Sequence, residues 1–362
     1  MTKYVFREDI EQVALNENIP WRDMLGASVL ITGATGFIGS ALVRSLIAAS
    51  MKHNLGLRII GTGRNIEKGR ALIELYGMDV FIENDIRQPF SNDKLPYSID
   101  YIFHCASITQ SIDMVSKPVD VITTAVDGTR NMLELARIKQ CKSFVYLSSM
   151  EVYGQTGLDE VSETDLGYWD LSRYRTSYPE SKRLCENLCV AFTGQYGIPV
   201  KIARLALTFG AGISQDSSDS RVAVQFAKKA VSGEDIELHT SGNSIINCCY
   251  TSDAVLGLLT LLLKGKEGEA YNVANPAAAA KVREMAEVAA SVVGDGKVKV
   301  IIKIPDDALE YGYAPDNGYT LNVDKLKSLG WQPSYGLADM FRRMVADWVD
   351  NSFSCKTAEN KI

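Results

Sequence analysis

The chain is poor in the residue types that build metal sites. Its 362 residues include 3 histidines (His53, His104, His239) and 7 cysteines, with no Cys-x-x-Cys pair, so a metal centre has little to draw on. The cysteines are odd in number and scattered, which excludes a disulfide framework and fits a reducing cytoplasm. Cys185, Cys189, Cys248 and Cys249 read as packing residues. Basic blocks are also missing. With 38 Lys and Arg against 44 Asp and Glu, the net charge is -6, which argues against nucleic acid or a membrane surface as partner. Long apolar runs are absent too. Ala254 to Leu263 is too short to span a bilayer, and Met1 to Asn18 lacks the apolar core of a signal peptide.

What remains is an ordinary globular composition, 46% hydrophobic and 23% charged, in a chain long enough for one large domain or two closely joined ones. Residues 1–25 read as a helical extension, polar until Trp21. Apolar strand-like runs then alternate with helical spacing, the pattern of a parallel sheet covered on both faces. Strands are expected at Ser28 to Thr32, Leu57 to Gly61, Val80 to Glu83, Tyr101 to Cys105, Ser143 to Leu147 and Val200 to Ala203. Helices are expected from near Phe37, over Val119 to Ile138 and over Pro179 to Phe192. Residues 26–207 form the dinucleotide-binding unit in this reading. Residues 208–350 are mainly a smaller mixed α/β lobe that chooses the substrate, and 351–362 a disordered tail.

Gly33, Gly36 and Gly39 stand between the first strand and the first helix at the spacing Gly-x-x-Gly-x-x-Gly. The first permits a tight turn, the second lets backbone approach a pyrophosphate, and the third lets helix and strand pack closely. Helix N-terminal N–H groups then meet the anion. The turn Gly33-Ala34-Thr35-Gly36-Phe37-Ile38-Gly39 is thus the candidate cofactor loop. At the end of strand two, Gly61-Thr62-Gly63-Arg64-Asn65 carries a guanidinium and no carboxylate. That suits a 2′-phosphate and leans toward NADP, although Arg64 could equally stack on adenine. Asn84-Asp85-Ile86 is placed to meet the adenine edge.

Ser149, Tyr178 and Lys182 form the reactive set. Tyr178 would take a proton from the hydroxyl being oxidised while hydride leaves. A free phenol, with a pKa of about 10, is a poor base at neutral pH. Lys182, one helical turn on, supplies a positive charge that favours phenolate. Ser149 would hold the substrate oxygen near Tyr178.

These residues, in this order, resemble the extended short-chain dehydrogenase/reductase family, in its sugar-nucleotide epimerase, dehydratase and decarboxylase branch. The resemblance covers about Gly26 to Trp348. It rests on the glycine turn, His104-Cys105-Ala106-Ser107, Ser148 to Gly154, Tyr178-Pro179-Glu180-Ser181-Lys182, Tyr250 to Ala254, Glu269 to Ala274 and Leu329-Gly330-Trp331. It implies a Rossmann-type doubly wound parallel sheet and NAD rather than NADP. It places Cys105, Ala106 and Ser107, with Tyr178 and Lys182, against the cofactor. It also implies a nucleotide-sugar substrate and a homodimer built on the helices around Gly128 to Ile138 and Pro179 to Phe192.

Lys117 to Thr129 and Ser217 to Phe226, including Arg221, look most like the UDP-glucuronate decarboxylases. Glu151 then matches their catalytic glutamate, and Ser149, Met150 and Arg221 fall on the substrate side. Oxidation at C4 acidifies the C5 proton and turns a C6 carboxylate into a β-keto acid. Met150 stands where dehydratases carry an aspartic acid, so dehydration is disfavoured, while decarboxylation and epimerisation both stay open. Three positions depart from the pattern. Ile246 replaces an arginine, and Leu207 and Ala125 replace asparagines, so either the substrate is unusual or neighbouring residues such as Arg221 and Lys228 carry the phosphates. The competing readings are a net NADPH-dependent reductase or dehydrogenase of a sugar or polyol derivative and a non-catalytic dinucleotide-binding module.

Overall fold

The computed structural model describes residues 5–90, 95, 98–215, 221–304 and 318–359, with side chains to residue 350. The strands are β1 (Ser28–Thr32), β2 (Arg58–Gly63), β3 (Val80–Glu83), β4 (Tyr101–His104), β5 (Ser143–Ser149), β6 (Glu160–Val161), β7 (Val200–Leu205), β8 (Leu207–Phe209), β9 (Ile236–Leu238), β10 (Ile245–Tyr250), β11 (Ala270–Val273), β12 (Asn275–Lys281), β13 (Val300–Ile302) and β14 (Thr320–Leu321). The helices are α1 (Val5–Ala14), α2 (Phe37–His53), α3 (Ile66–Tyr76), α4 (Ser111–Ser116), α5 (Pro118–Lys139), α6 (Ser177–Tyr196), α7 (Val222–Ser232), α8 (Thr251–Lys264), α9 (Val282–Val292), α10 (Asp324–Lys327) and α11 (Leu337–Glu359).

Seven parallel strands form the main sheet in the order β3-β2-β1-β4-β5-β7-β11. The strand order reverses between β1 and β4, and the crevice beyond the carboxyl ends of those strands is where such sheets take ligands. The central strands are apolar along their whole length because helices cover both faces. Val29, Leu30, Ile31, Ile102, Phe103, Phe144 and Val145 are all fully buried. This is the Rossmann-type α/β fold expected from the alternating pattern.

The smaller lobe holds β12-β10-β8, with β10 parallel to β8 and antiparallel to β12, and the pair β13-β9. It has its own core around Phe209, Phe226, Met285, Phe341 and Trp348. Ala270 to Val273, inside the stretch assigned from sequence mainly to this lobe, instead lie on the main sheet, in register with Ile202 to Leu205. Tyr271 and Val273 join the main core there, and the Tyr153 hydroxyl donates to Asn272 Oδ1. Helix α11 reaches Glu359, into the segment read from sequence as a tail.

The N-terminal extension is clasped onto both units. Asp9 on α1 accepts from the Tyr250 hydroxyl (2.5 Å) and from Arg343 Nη2 (2.6 Å) on α11. Burial pushes the Asp9 carboxyl up to about 6, against the pull of both partners. Phe6 packs on both cores. Among the described residues, no helix is long and apolar enough to cross a membrane.

Candidate active site

The crevice begins where β1 ends. Thr32 Oγ1 accepts from the Ala106 N–H (3.0 Å) and bonds His104 Nδ1 (2.8 Å), which pins the ends of β1 and β4 together. His104 Nε2 lies 3.3 Å from Thr129 Oγ1 on α5. Burial drops the imidazole pKa to about 3, with the charge on Lys182 pushing the same way. His104 is thus a neutral brace rather than a base.

Gly33 follows with φ +62°, and a Cβ there would stand 3.0 Å from the Ala106 nitrogen. A Cβ on Gly39 would collide with the Gly33 carbonyl oxygen, so only glycine lets α2 start this close to β1. Gly36 is the extended N-cap of α2, and no side chain caps the helix. Thr35, Phe37 and Ile38 line this turn half-buried. Backbone N–H groups and the positive end of α2 are therefore left for an anion. Arg221 joins them. Its guanidinium lies 4.6 Å from the Phe37 ring centroid, and its Nη1 donates to the Thr208 carbonyl at 2.9 Å. The stretch Ser217 to Ser220 lies outside the described residues.

At the other end of the crevice, Asp85 is held by Arg87, with Nη2 at 2.6 Å from Oδ2, and this bond keeps its pKa below the usual carboxylate range. The Ile86 carbonyl accepts from Asn131 Nδ2 at 3.0 Å, and Gly128 lets α5 close onto the Ile86 side chain. Arg64 is exposed just beyond β2. Thr62 Oγ1 and Asn84 Nδ2 are buried here with no partner. Unsatisfied buried polar atoms, beside a turn that only glycine permits, fit a dinucleotide laid across the strand ends. Cys105, Ala106 and Ser107 run half-buried from β4 between the two ends.

The reactive end forms where β5 stops. Ser149 caps a short 3-10 turn, Met150 to Tyr153, by accepting from the Glu151 N–H at 3.2 Å. Its hydroxyl also lies on the Tyr178 side, where it pulls the phenol's pKa down. Tyr178 is 7% exposed at the start of α6. Burial pushes its phenol well above the ordinary range, and the Glu151 charge adds to this. Ser149 and Arg175 pull the other way. Ser149 and Glu151 thus both act on the Tyr178 phenol.

Lys182 is buried, and its Nζ donates to the Leu147 carbonyl at 2.8 Å. It lies 4.9 Å from the Tyr146 ring centroid and 5.8 Å from that of Tyr178. It therefore faces the tyrosine ring from the strand side, and the charges that act most on the phenol are those of Glu151 and Arg175. Met150 packs its side chain on the main core.

Arg175 carries no signal in the sequence reading. It sits in the 3-10 turn Tyr174–Thr176, and its Nη2 donates to Glu151 Oε1 at 2.9 Å. Trp169 Nε1 donates to the Glu151 carbonyl at 2.9 Å. Arg183 binds the carbonyls of Val152 (2.7 Å) and Gly167 (2.6 Å), fixing the 3-10 turn onto α6. Below the site, Arg204 and Glu186 form a buried forked pair (Nη2–Oε2 2.7 Å). Ser148 Oγ (2.5 Å) and the Tyr153 hydroxyl (3.0 Å) complete it.

A dinucleotide crevice that ends in a serine, a tyrosine and a lysine one turn on defines a short-chain dehydrogenase/reductase enzyme of the extended type. Residues 29–274 match the model of the NAD dependent epimerase/dehydratase family, and the chain belongs to that family. It is 31% identical over 326 residues to a UDP-glucuronic acid decarboxylase of Arabidopsis thaliana, covering 88% of each chain. It is 32% identical over 246 residues to a UDP-N-acetyl-alpha-D-glucosaminuronate decarboxylase of Bacillus cytotoxicus, covering 67% of this chain and 74% of the relative. In fold it is similar to a UDP-glucose 4-epimerase of Thermotoga maritima, with a TM-score of 0.74 at 21% identity over 90% of this chain and 99% of the other.

Proposed function

We propose that this enzyme decarboxylates a nucleotide-linked uronic acid through a transient 4-keto sugar, using NAD. The carrying observation is Glu151, held beside the Tyr178 phenol and its Ser149 partner, with a thioether rather than an acid at Met150. The decarboxylase relatives named above act, by their names, on uronic acids, which supports the reading. Gly33, Thr35, Gly36, Phe37, Ile38 and Gly39 would hold the pyrophosphate, Asp85 and Ile86 the adenine side, and Cys105 to Ser107 the middle. A bound oxidised nicotinamide would supply reversible hydride-acceptor chemistry at C4.

The chain's own residues do the rest. Ser149 holds the C4 oxygen while Tyr178 takes its proton. The C4 ketone then lets the C5–C6 bond break. CO₂ leaves, and the electron pair passes into the C4–C5 enolate. A proton delivered by Glu151 closes C5, and Tyr178 gives the proton it took back to the C4 oxygen as that ketone is reduced again. Loss of CO₂ needs no acid at position 150, whereas departure of a hydroxyl would. Epimerisation is the variant in which the carboxylate is absent or stays.

Incubation with NAD⁺ and a panel of UDP-, dTDP-, GDP- and CDP-sugars, read by mass spectrometry, tests this. A uronate should lose CO₂, and conversion of no sugar rejects the proposal. The exposed Arg64 beyond β2 favours a second reading, net NADPH-dependent reduction, which would show as stoichiometric loss of nicotinamide absorbance. We also propose a homodimer in the cytoplasm. Ile122, Ile138, Leu184, Val190 and Tyr196 lie exposed on α5 and α6, and light scattering on the eluted protein tests that pairing.

A further inference from the structure

The guanidinium of Arg175 is only partly used. Glu151 takes its outer edge: Nη2 donates to Oε1 at 2.9 Å, and Nη1 lies 2.8 Å from Oε2 without hydrogen-bond alignment. On the inner edge, Nε is buried and has no acceptor. A guanidinium is a rigid fork of five donors, and each of its two edges matches one carboxylate. A buried donor without a partner costs about 1–3 kcal/mol, so this edge is built for an acceptor that arrives from outside the chain. The same cation holds Glu151 and pulls down the Tyr178 phenol, so it lies beside the residues of the proposed reaction. Position 246, where the resemblance leads one to expect an arginine, is an isoleucine packed on the second core.

We propose that the Nε edge of Arg175 receives the carboxylate of the uronic-acid sugar, so that Arg175 selects acidic over neutral nucleotide sugars. Glu151 occupies the other edge, which keeps both carboxylates on one cation and beside the phenol. This rests on the function proposed above and adds the residue that reads the substrate's charge.

The test is calorimetric titration of the NAD⁺-loaded protein with UDP-glucuronate and with UDP-glucose. The unaltered chain should bind the uronate more tightly. Arg175→Gln should weaken the uronate by at least about 30-fold, the effect of removing one partner of a buried charge pair, and leave UDP-glucose within about 3-fold. Arg175→Lys keeps a charge without the fork and should fall between. A merely structural role would weaken both sugars alike, and that result, or an unchanged uronate affinity in Arg175→Gln, overturns the assignment. Should Arg175→Gln fail to fold by circular dichroism, the lysine variant decides by the same ratio. Failure of the unaltered chain to bind either sugar would instead sink the functional reading itself, and this inference with it.

Discussion

Two Glu–Arg pairs flank the strand that carries Ser149, and they are finished to different degrees. In the lower one, Glu186 and Arg204 side chains are 10% and 6% exposed. Every edge of that arginine is used: Nε and Nη2 on the carboxylate, Nη1 on the Tyr153 hydroxyl and the Glu163 carbonyl. The upper pair, Glu151 and Arg175, is 27% and 13% exposed and leaves Nε without an acceptor. The first pair is closed on itself and serves the fold. The second keeps a buried donor without an acceptor, as a site whose chemistry is still to be completed would.

The sharpest test of this contrast is at the phenol between them. Tyr178→Phe should lower turnover by about 10²- to 10⁴-fold while NAD binding, followed by titration calorimetry, stays unchanged. Retained turnover would remove Tyr178 from the chemistry. Next comes the closed pair. Glu186→Ala leaves Arg204 buried and unpaired and should cost about 3–5 kcal/mol in urea unfolding. Glu151→Gln should cost less than about 1.5 kcal/mol of stability, since an amide can keep one bond to Arg175, yet it should cripple turnover. Similar stability losses for the two would erase the distinction.

A smaller effect concerns His104, the neutral brace. Its folded pKa of about 3 lies below the unfolded value of 6.5, so between those values only the unfolded chain takes the proton. Its share of stability is therefore intact above pH 6.5 and is lost as pH falls toward 3, by up to about 1.4 kcal/mol per unit. Asp9 and Asp253, raised to about 6, run the other way because the folded chain holds their protons from about pH 4 to 6. Comparing His104→Gln with the unaltered chain by urea unfolding from pH 4 to 7 isolates the imidazole, and equal slopes would contradict its buried neutrality. The least effect is expected at Arg64, which is exposed. Arg64→Ala should change NAD affinity by less than about 1 kcal/mol, and a larger loss would place its guanidinium against the cofactor.

Much of this was legible before any coordinates. The glycine turn has a local cause, because Gly33 and Gly39 answer steric demands from neighbours a few residues away or on the adjoining strand. Tyr178 and Lys182 share a helix face by spacing alone. Arg175 was not legible. It meets Glu151 across 24 residues because a 3-10 turn before α6 carries it there, and no periodicity announces such a contact. The same holds for Lys182. Helical spacing placed it beside the tyrosine, but only the packed strand shows its ammonium on the Leu147 carbonyl. In the smaller lobe, β8, β10 and β12 escaped because three to seven residues, with asparagine and alanine among them, carry too little pattern.

The clasp between Asp9 and Arg343 joins residues 334 positions apart, whereas the family match begins only at residue 29. A chain trimmed to that family boundary would keep every group of the reaction centre and still leave Arg343 and the Tyr250 hydroxyl without the carboxylate they share. The opening helix is thus a buckle for the closing one, and a tether that drags on the first dozen residues will be felt where the sequence ends.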